Sequence, residues 1–528
     1  MTGRSTWTMR PVRAITAGLV VLFASADKSL SQSDQQAATD APGAPAVRVT
    51  VDAAQVVRIV DERTFGLNAT IWDGEFGTDG TLELLAAAGT RALRFGGGSL
   101  SNEYHWKTNT TLDNDWQWST GFDEFARVAM GLNAQVFITT NYGTGTPEEA
   151  AEWVAYSNLE RGYGFRYWEI GNENYGSWET DTQAVPHDPY TYAVRARDYI
   201  AQMKAVDPLV RVGVVVVTGE DSYANNTAHP ATNPRTGQVH NGWTPVLLTT
   251  LRSLGVTPDF AIYHRYEQAP GHESDALLLQ SAASWSTDAA SLRRQLADYL
   301  GEAGSSVELV VTENNSVYAS PGKQTTSLVN GLFLADSFGR LLQTEFNAFV
   351  WWDVRNSQEP NNNNGGGLYG WRPYGDYGVI STASESGSAT SYEPYPTYYV
   401  WKLLSRFARG GDAVVRATSD SALLAAYAAR RQDGSLSLLV VNKNRDVALD
   451  ASIEIAGFTP QPIATVTSYG IPQDEAARTG SGSPDLAVST LAVPGPAFTA
   501  TFAPYSATVI SMMPAFEPRP VRRVLRHW

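Results

Sequence analysis

The sequence predicts an α/β fold, a (β/α)8 TIM barrel with an appended antiparallel β-sandwich. Eight short apolar runs of β-rich composition recur between about residues 65 and 356, and segments of helical spacing or composition separate them. Eight such units over roughly 290 residues match a TIM barrel in number and length. A doubly wound open sheet is the alternative, but its usual glycine fingerprint after the first strand is missing.

Each predicted barrel strand is one of these runs, and helices lie between several of them. Pro147 suits the first position of a helix, and Asp288 is a predicted N-cap. The predicted strands are 65–72, 92–97, 135–141, 166–173, 210–217, 259–266, 307–314 and 348–355. The predicted helices are 147–159, 190–206, 288–300 and 324–342.

After Arg406 the pattern changes to short strand-like runs separated by turn signals, which is typical of an antiparallel sandwich. Asp433-Gly434 between two of the runs predicts a hairpin. The alternating segment 47–51 precedes the barrel and is expected to join this sandwich. The predicted sandwich strands are 413–418, 423–430, 435–442, 448–455, 464–469 and 498–512. We therefore predict an N-terminal sandwich strand in 46–60, the barrel in 61–400 and the rest of the sandwich in 401–515.

Both ends of the chain differ from these domains. Basic residues within the first 13 positions precede an apolar run at 14–26 that ends in small residues, which predicts a signal peptide over 1–26. A membrane anchor needs about 20 apolar residues. Residues 27–45 are typical of a flexible leader, and 516–528 of a basic, solvated tail. We expect a secreted or periplasmic protein without a membrane anchor.

Composition excludes several classes of function. With 39 Lys and Arg against 54 Asp and Glu, the net charge of −15 argues against nucleic acid as a partner. The absence of cysteine excludes disulfides, thiolate zinc sites, iron–sulfur clusters and a cysteine nucleophile. The seven histidines form no His-x-His or His-Glu-x-x-His pattern, so we expect no metal, and no motif predicts another cofactor. A metal-dependent barrel hydrolase is therefore a weak alternative.

Two glutamates follow buried strands at the barrel end where function resides. The fourth run ends at Gly171-Asn172-Glu173, and the seventh contains Thr312-Glu313. A carboxylate at the end of an apolar strand is costly unless it is paired, hydrogen-bonded or functional. Glycoside hydrolysis needs two carboxyl groups that flank one sugar bond. Two strand-end glutamates at one barrel mouth therefore indicate this chemistry.

These motifs resemble the signature of the clan A retaining glycoside hydrolases over about 46–515 of the chain. The resemblance implies that Glu173 is the general acid/base and Glu313 the nucleophile. It also implies that the amide of Asn172 binds the sugar hydroxyl next to the reacting carbon. For a retaining enzyme, the two carboxyl groups should be about 5–5.5 Å apart. We expect the negative charge of Glu313 to raise the pKa of Glu173.

Three further residues match positions of the same clan. Arg94, in the string Arg-Phe-Gly-Gly-Gly, resembles the strand-two arginine that supports the ionised nucleophile. His264 and Tyr266 point the same way on one strand, and such a pair steadies the nucleophile and shapes the sugar pocket in the clan. Glu169 lies deeper in its strand and is expected to be structural.

Tryptophans at strand ends suit a carbohydrate site, because sugar rings stack on indole faces. We expect Trp72, Trp178, Trp351 and Trp352 to contact substrate. Since Trp351 and Trp352 are adjacent and face opposite ways, only one of them can line the pocket. The loop 361–377 is polar and then rich in rings; it is either a mobile lid or a surface loop with packed aromatics.

The layout and the string Trp-Glu-Ile-Gly-Asn-Glu resemble most the α-L-arabinofuranosidase and β-xylosidase group. The first choice is a secreted retaining α-L-arabinofuranosidase acting on plant-type saccharides. The alternatives are a β-xylosidase, a β-glucuronidase or an endo-β-glucanase of the same clan, and a carbohydrate-binding barrel without activity. In 66–73 the chain lacks the acidic-His pair expected of a typical arabinofuranosidase.

Overall fold

The computed structural model describes residues 47–112, 114–183, 187–382 and 393–515. The predicted signal peptide (1–26), leader (27–45) and basic tail (516–528) lie outside the described residues and stay predictions. Among the described residues, no helix is both long and apolar enough to cross a membrane.

The strands of the described residues alternate with helices up to residue 351 and follow one another closely after residue 413. They are, in chain order, β1 (Val47–Ile59), β2 (Gly66–Ala69), β3 (Ala92–Phe95), β4 (Gln135–Thr140), β5 (Tyr167–Ile170), β6 (Arg211–Val215), β7 (Ala231–Thr232), β8 (Val239–His240), β9 (Phe260–Gln268), β10 (Glu308–Val317), β11 (Val350–Trp351), β12 (Ala413–Ser419), β13 (Leu424–Arg430), β14 (Leu436–Asn442), β15 (Leu449–Ala456), β16 (Ile463–Gly470), β17 (Ala487–Ala492), β18 (Ala497–Phe502) and β19 (Ser506–Met512).

The α-helices are α1 (Asp79–Ala88), α2 (Phe122–Leu132), α3 (Pro147–Val154), α4 (Pro189–Val206), α5 (Trp243–Ser253), α6 (Asp275–Ser281), α7 (Trp285–Leu300), α8 (Leu328–Leu341), α9 (Pro396–Phe407) and α10 (Ile471–Thr479). As predicted, α3 begins at Pro147, and the Thr146 side chain accepts a hydrogen bond from the Glu149 N–H. The prediction for Asp288 is wrong, because α7 begins three residues earlier. Asp288 instead forms an ion pair with Arg265 on β9, at 3.2 Å.

Eight parallel strands form the barrel, in the order β10-β9-β6-β5-β4-β3-β2-β11. A parallel bridge between Val311 and Phe349 closes the ring between its first and last strands. Each of the eight predicted runs overlaps one of these strands, and β9 and β10 extend two and three residues beyond their predicted ends. The predicted TIM barrel is therefore confirmed, and the open doubly wound sheet is excluded.

The second sheet has nine strands, in the order β17-β16-β19-β14-β13-β12-β1-β15-β18. It is antiparallel except that β1 runs parallel to β15. Both ends of this order pack on one apolar core that includes Ala464, Val493 and Phe498, so the sheet curls over itself. The hairpin at Asp433-Gly434 is confirmed by the antiparallel pairing of β13 with β14. The predicted run 498–512 is wrong as one strand, because it comprises parts of β18 and β19.

The barrel and the curled sheet share a buried interface. Asp336 on α8 accepts hydrogen bonds from the Tyr427 hydroxyl and, at 3.0 Å, from the Lys443 ammonium group, both on the sheet side. A Cβ at Gly339 would lie 2.2 Å from the Tyr427 ring, so only glycine allows this approach. The predicted boundary between 400 and 401 falls inside α9, which packs on both parts.

The loop 361–377 is packed against its surroundings. The Asn363 amide donates to Glu273 at 2.6 Å, and the Tyr369 N–H donates to Asp275 at 2.6 Å. The Trp371 indole donates to Asp474 at 3.2 Å. These contacts favour the surface loop with packed aromatics over the mobile lid.

Asp376 at the end of this loop is a buried acid. Its carboxyl accepts hydrogen bonds from the Gly378 N–H at 2.9 Å and from the Tyr395 hydroxyl at 3.1 Å. Burial outweighs these bonds and raises the pKa of Asp376 to about 7. Asp376 therefore binds its proton more tightly in the folded chain than in the unfolded chain, where the pKa is about 3.9.

We predict that ionisation of Asp376 destabilises the fold. Because Asp376 has a higher pKa in the folded chain than in the unfolded chain, the folded protein loses stability as the pH rises. The loss begins near the unfolded-state pKa of about 4 and is complete above the folded-state value of about 7. Relative to Asp376→Asn, the wild-type free energy of unfolding should fall by a few kcal/mol over this range and then level off. Urea unfolding at pH 5 and pH 8 checks this; a difference between the two proteins that is independent of pH would contradict it.

Candidate active site

Five side chains, carried by four barrel strands or the turns that follow them, converge at the carboxyl end of the barrel. Glu173 follows β5, Glu313 lies in β10, Arg94 in β3, and His264 and Tyr266 in β9. One carboxylate oxygen of Glu173, one of Glu313 and a ring nitrogen of His264 all lie within 4.8 Å of one another. The structure thus brings the predicted acid/base and nucleophile together at one mouth.

Arg94 is fully buried and binds four side chains with its guanidinium group. Its Nε donates to Glu169 at 2.7 Å, and its Nη1 donates to Glu313 at 2.9 Å and to the Asn68 Oδ1 at 3.2 Å. Its Nη2 donates to the Asn172 Oδ1 at 2.9 Å. Burial opposes the charge of Arg94, but the two carboxylates outweigh it and raise its pKa. Glu169 is a buried ion-pair partner, consistent with the expected structural role.

The Glu313 carboxyl meets a donor on each oxygen. Arg94 donates to Oε2, and the Tyr266 hydroxyl donates to Oε1 at 2.5 Å. Burial, together with the charge of Glu313, raises the pKa of Tyr266 well above its usual value, so this hydroxyl keeps its proton. The β9–β10 register shifts between Val311 and Glu313, so an irregularity of the strand lies directly before Glu313.

Glu173 stands on a left-handed turn and has other partners. Its φ is 43°, and Gly171 before it has a φ of 69°. Its Oε1 is hydrogen-bonded to the His264 Nδ1 at 3.0 Å, and its Oε2 accepts from the Trp178 indole at 3.3 Å. His264 therefore lies closer to Glu173 than to Glu313, from which its Nδ1 is 3.8 Å away.

The expected rise in the pKa of Glu173 is wrong. Burial does raise this pKa, but hydrogen bonds from His264, Tyr175 and Trp178, together with the attraction of the His264 ring, outweigh burial and lower it. This partner could not be recognised from the sequence, because His264 lies 91 residues further along the chain, on β9, which only β6 separates from β5 in the barrel.

Asn172 is held from two sides. Its Oδ1 accepts from Arg94, and its Nδ2 donates to Glu179 at 3.1 Å. Glu179 is buried, and burial together with the charge of Glu173 raises its pKa to about 8. Sequence reasoning missed both Glu179 and Asn68, because each is recognisable only from its burial beside the site.

Of the predicted tryptophans, three border the site. Trp178 is 54% exposed beside Glu173. Trp352 packs its ring 6.2 Å from that of Trp72 and against the backbone at Gly98, where a Cβ would lie 2.8 Å from the indole. Trp351 is fully buried against aromatic core residues, so its assignment as a substrate contact is wrong. Trp352 is therefore the member of the pair that lies at the mouth.

The cluster of Glu173, His264 and Glu313 has the spacing that a metal ion would need. The distances from the His264 Nδ1 to the two carboxylates, 3.0 and 3.8 Å, suit ligands of one small cation. The hydrogen bonds already described also account for these groups without an ion. The expectation of no metal and no other cofactor stays a prediction.

A cavity of about 870 Å³ lies at the opposite end of the barrel. Its charged lining includes Arg58, Arg63, Arg211 and Glu308. Arg63 pairs with Glu308 at 2.5 Å, and Arg211 lies 3.7 Å from the same carboxylate. TIM-barrel enzymes have their active sites at the carboxyl end of the strands. We therefore do not assign this cavity as the active site.

Sequence comparison finds relatives over part of the chain, and no protein-family model matches it. The chain is 28% identical over 171 residues to the Aspergillus terreus protein named "Probable alpha-L-arabinofuranosidase C", covering 27% of this chain and 32% of that one. It is 26% identical over 225 residues to an exo-α-(1→6)-L-arabinofuranosidase of Bifidobacterium longum, covering 34% and 42%. The chain thus spans about a third of the length of the first curated relatives it matches.

Solved structures share the fold over nearly the whole described chain. An α-L-arabinofuranosidase from Thermotoga maritima has a TM-score of 0.66 at 19% identity, covering 88% of this chain and all of that one. A xyloglucanase from Paenibacillus polymyxa has a TM-score of 0.64 at 13% identity, covering 89% and 100%. At these identities the likeness establishes the barrel with its sandwich. Together with the sequence relatives, it confirms the resemblance to arabinofuranosidase-like clan A proteins.

We predict that loss of Arg94 destabilises the fold through its buried partners. Arg94→Met leaves the Glu169 carboxylate without its cation and should lower the free energy of unfolding by about 3–5 kcal/mol. Arg94→Met combined with Glu169→Gln should recover part of this loss, since no unpaired charge then remains at position 169. Urea unfolding of both variants measures the effect, and a double variant no more stable than Arg94→Met would contradict it.

Proposed function

We propose that the chain is an O-glycoside hydrolase that retains the anomeric configuration, with α-L-arabinofuranosides as the first-choice substrates. The observation that carries this proposal is the pair formed by Glu173, just after β5, and Glu313, within β10, with one carboxylate oxygen of each within 4.8 Å of the other. Such a close approach of the two carboxylates is what a retaining enzyme needs, because its two carboxyl groups lie about 5–5.5 Å apart.

The surroundings of the two carboxyl groups favour different roles. Glu313 faces a guanidinium and a phenol, and such donors suit a carboxylate that attacks the anomeric carbon. The Glu173 Oε1 is hydrogen-bonded to the His264 Nδ1, and the hydrogen of this bond can be carried by either atom. When Glu173 is ionised, the hydrogen of this bond resides on the His264 Nδ1, beside the oxygen that must deliver a proton.

In the first step, a Glu313 oxygen forms a bond to the anomeric carbon while the bond to the leaving oxygen breaks. Glu173 gives its proton to that oxygen, and the glycosyl ester of Glu313 results. In the second step, Glu173 takes a proton from water, and the water oxygen replaces Glu313 on the anomeric carbon. The lowered pKa of Glu173 favours its base form in this second step.

The choice of sugar rests on the relatives. The two curated relatives described above, which match part of the chain, carry the name arabinofuranosidase. Endo-β-glucanase activity is the second candidate, because a bifunctional glucanase-xylanase shares the fold with a TM-score of 0.63 at 17% identity. Either activity implies a carbohydrate as the substrate. Secretion is also part of the proposal, and it rests on the sequence of 1–26 alone.

We predict that Glu313 and Glu173 respond differently to truncation. Glu313→Ala should lower kcat by at least about 10⁴-fold, because no covalent intermediate can form. Glu173→Ala should retain activity on a 2,4-dinitrophenyl glycoside, which needs no acid, and azide should accelerate its turnover. Glu308→Gln on the same strand is the matched control, since Glu308 lies at the opposite end of the barrel.

The outcomes of these assays separate the enzyme from a binding protein. If azide does not accelerate turnover by Glu173→Ala, the assignment of Glu173 as the acid/base is contradicted. If neither the wild type nor any variant hydrolyses a glycoside but the wild type still binds sugar, the alternative of a carbohydrate-binding barrel without activity is favoured.

We further predict that the sugar released when water cleaves the Glu313 ester has the anomeric configuration of the substrate. A panel of nitrophenyl pentosides and hexosides with plant polysaccharides identifies the substrate, and NMR during the first minutes of reaction identifies the product anomer. Activity on α-L-arabinofuranosides supports the first choice, and activity on β-glucans alone supports the second candidate. An inverted product would exclude double displacement.

A further inference from the structure

Glu179 is a buried carboxyl group that the reaction described above does not use. Its side chain is 4% exposed, and it receives three hydrogen bonds. Ser99 donates to Oε1 at 2.9 Å, Asn172 to Oε1 at 3.1 Å and Asn102 to Oε2 at 2.6 Å. Within the described residues no Lys, Arg or His forms an ion pair with it. Its contacts are therefore with neutral donors, two of which are amides.

The first of these amides belongs to Asn172. Arg94 donates to the oxygen end of this amide, and Glu179 accepts from its nitrogen end. An amide held at both ends cannot rotate by 180°. Of the two hydrogens on the Asn172 Nδ2, one is bound by Glu179 and the second is left for a sugar hydroxyl.

The second amide, that of Asn102, holds the turn on which Glu173 stands. The Asn102 Nδ2 donates to the Asn172 carbonyl at 2.8 Å, and the Asn102 Oδ1 accepts from the Asn172 N–H at 3.2 Å. The left-handed conformation of Glu173 is unfavourable for a residue with a side chain and needs support from its surroundings. Asn102 supplies that support, and Glu179 fixes Asn102.

The charge of Glu179 suits this arrangement. Burial and the neighbouring charge of Glu173 raise the pKa of Glu179 to about 8, so it is mainly protonated at neutral pH. It thus orders two amides without adding a second full negative charge next to Glu173.

We propose that Glu179 is a positioning residue, which fixes the Asn172 amide and, through Asn102, the turn that carries Glu173. Glu179 acts through these residues and does not touch the substrate. This inference rests on the proposed glycosidase function, and it adds a residue that this function does not require by itself.

Glu179→Gln tests the inference because the amide NH₂ group, unlike either oxygen of a protonated or ionised carboxyl group, cannot accept a hydrogen bond. The Asn102 amide cannot reverse, since its Oδ1 already accepts from the Asn172 N–H and from the Asn174 Nδ2. The Asn172 amide cannot reverse, since its oxygen faces Arg94. The new NH₂ group therefore meets one of these two amide nitrogens, donor against donor.

The expected result is a fall in kcat on the order of ten- to a hundred-fold, with KM changed less than about threefold. The loss should be larger for an alkyl glycoside than for a 2,4-dinitrophenyl glycoside, because only the former needs protonation by Glu173. Glu103→Gln is the matched control. It lies next to Asn102 and accepts from Thr180 at 3.1 Å, and it should keep the wild-type kcat.

Hydrogen exchange gives a readout that needs no turnover. Backbone amides in 171–179 should exchange about tenfold faster in Glu179→Gln than in the wild type or Glu103→Gln. If Glu179→Gln does not fold, Asn102→Ala tests the same link from its other side and should give the same pattern of leaving groups and exchange.

The outcomes separate the inference from the proposed function. A kcat within twofold of wild type, equal losses with both leaving groups, or unchanged exchange in 171–179 would overturn the role of Glu179. If the wild type hydrolyses no glycoside, the proposed function fails, and the exchange measurement still decides whether Glu179 holds the turn.

Discussion

The buried guanidinium of Arg94 is the interaction on which both the fold and the site depend. From β3 it reaches β2, β5, β10 and the turn after β5, and it carries a charge that burial would make costly without partners. Glu169 and Glu313 supply the opposite charges. The carboxyl group assigned as nucleophile is therefore also part of the ionic core of the barrel, so its position cannot drift without loss of stability.

The two carboxyl groups differ in the backbone that carries them. Glu313 lies within a strand whose neighbours fix it on both sides, whereas Glu173 stands on a left-handed turn held by the side chain of Asn102. A strand-borne group suits attack at a fixed point. A turn-borne group, hydrogen-bonded to His264, suits a proton that must move between two partners during the two steps.

Features repeated along the chain were predictable, and features that depend on contacts across the barrel were not. The eight strands follow from the apolar runs, and the meeting of Glu173 and Glu313 at one mouth follows from barrel geometry. The sequence predicts that adjacent Trp351 and Trp352 face opposite ways. It does not show which of the two is buried, because the core around Trp351 is formed by residues from other parts of the chain. The partner of His264 and the burial of Glu179 likewise depend on side chains far apart in the sequence.

The pairing of β1 with β12 gives the molecule an inserted architecture. Ile59 at the end of β1 is paired with Ala413 at the start of β12, so residues 60–412 leave and re-enter the sheet at adjacent points. In polymer terms, the barrel is one very long hairpin loop, and the entropy of closing a loop grows only slowly with its length. Because the folded barrel holds its own ends side by side, the sheet needs little further ordering to accept it. A barrel of different length with equally close ends could occupy the same place, whereas the C-terminal strands expressed alone would lack an inner strand.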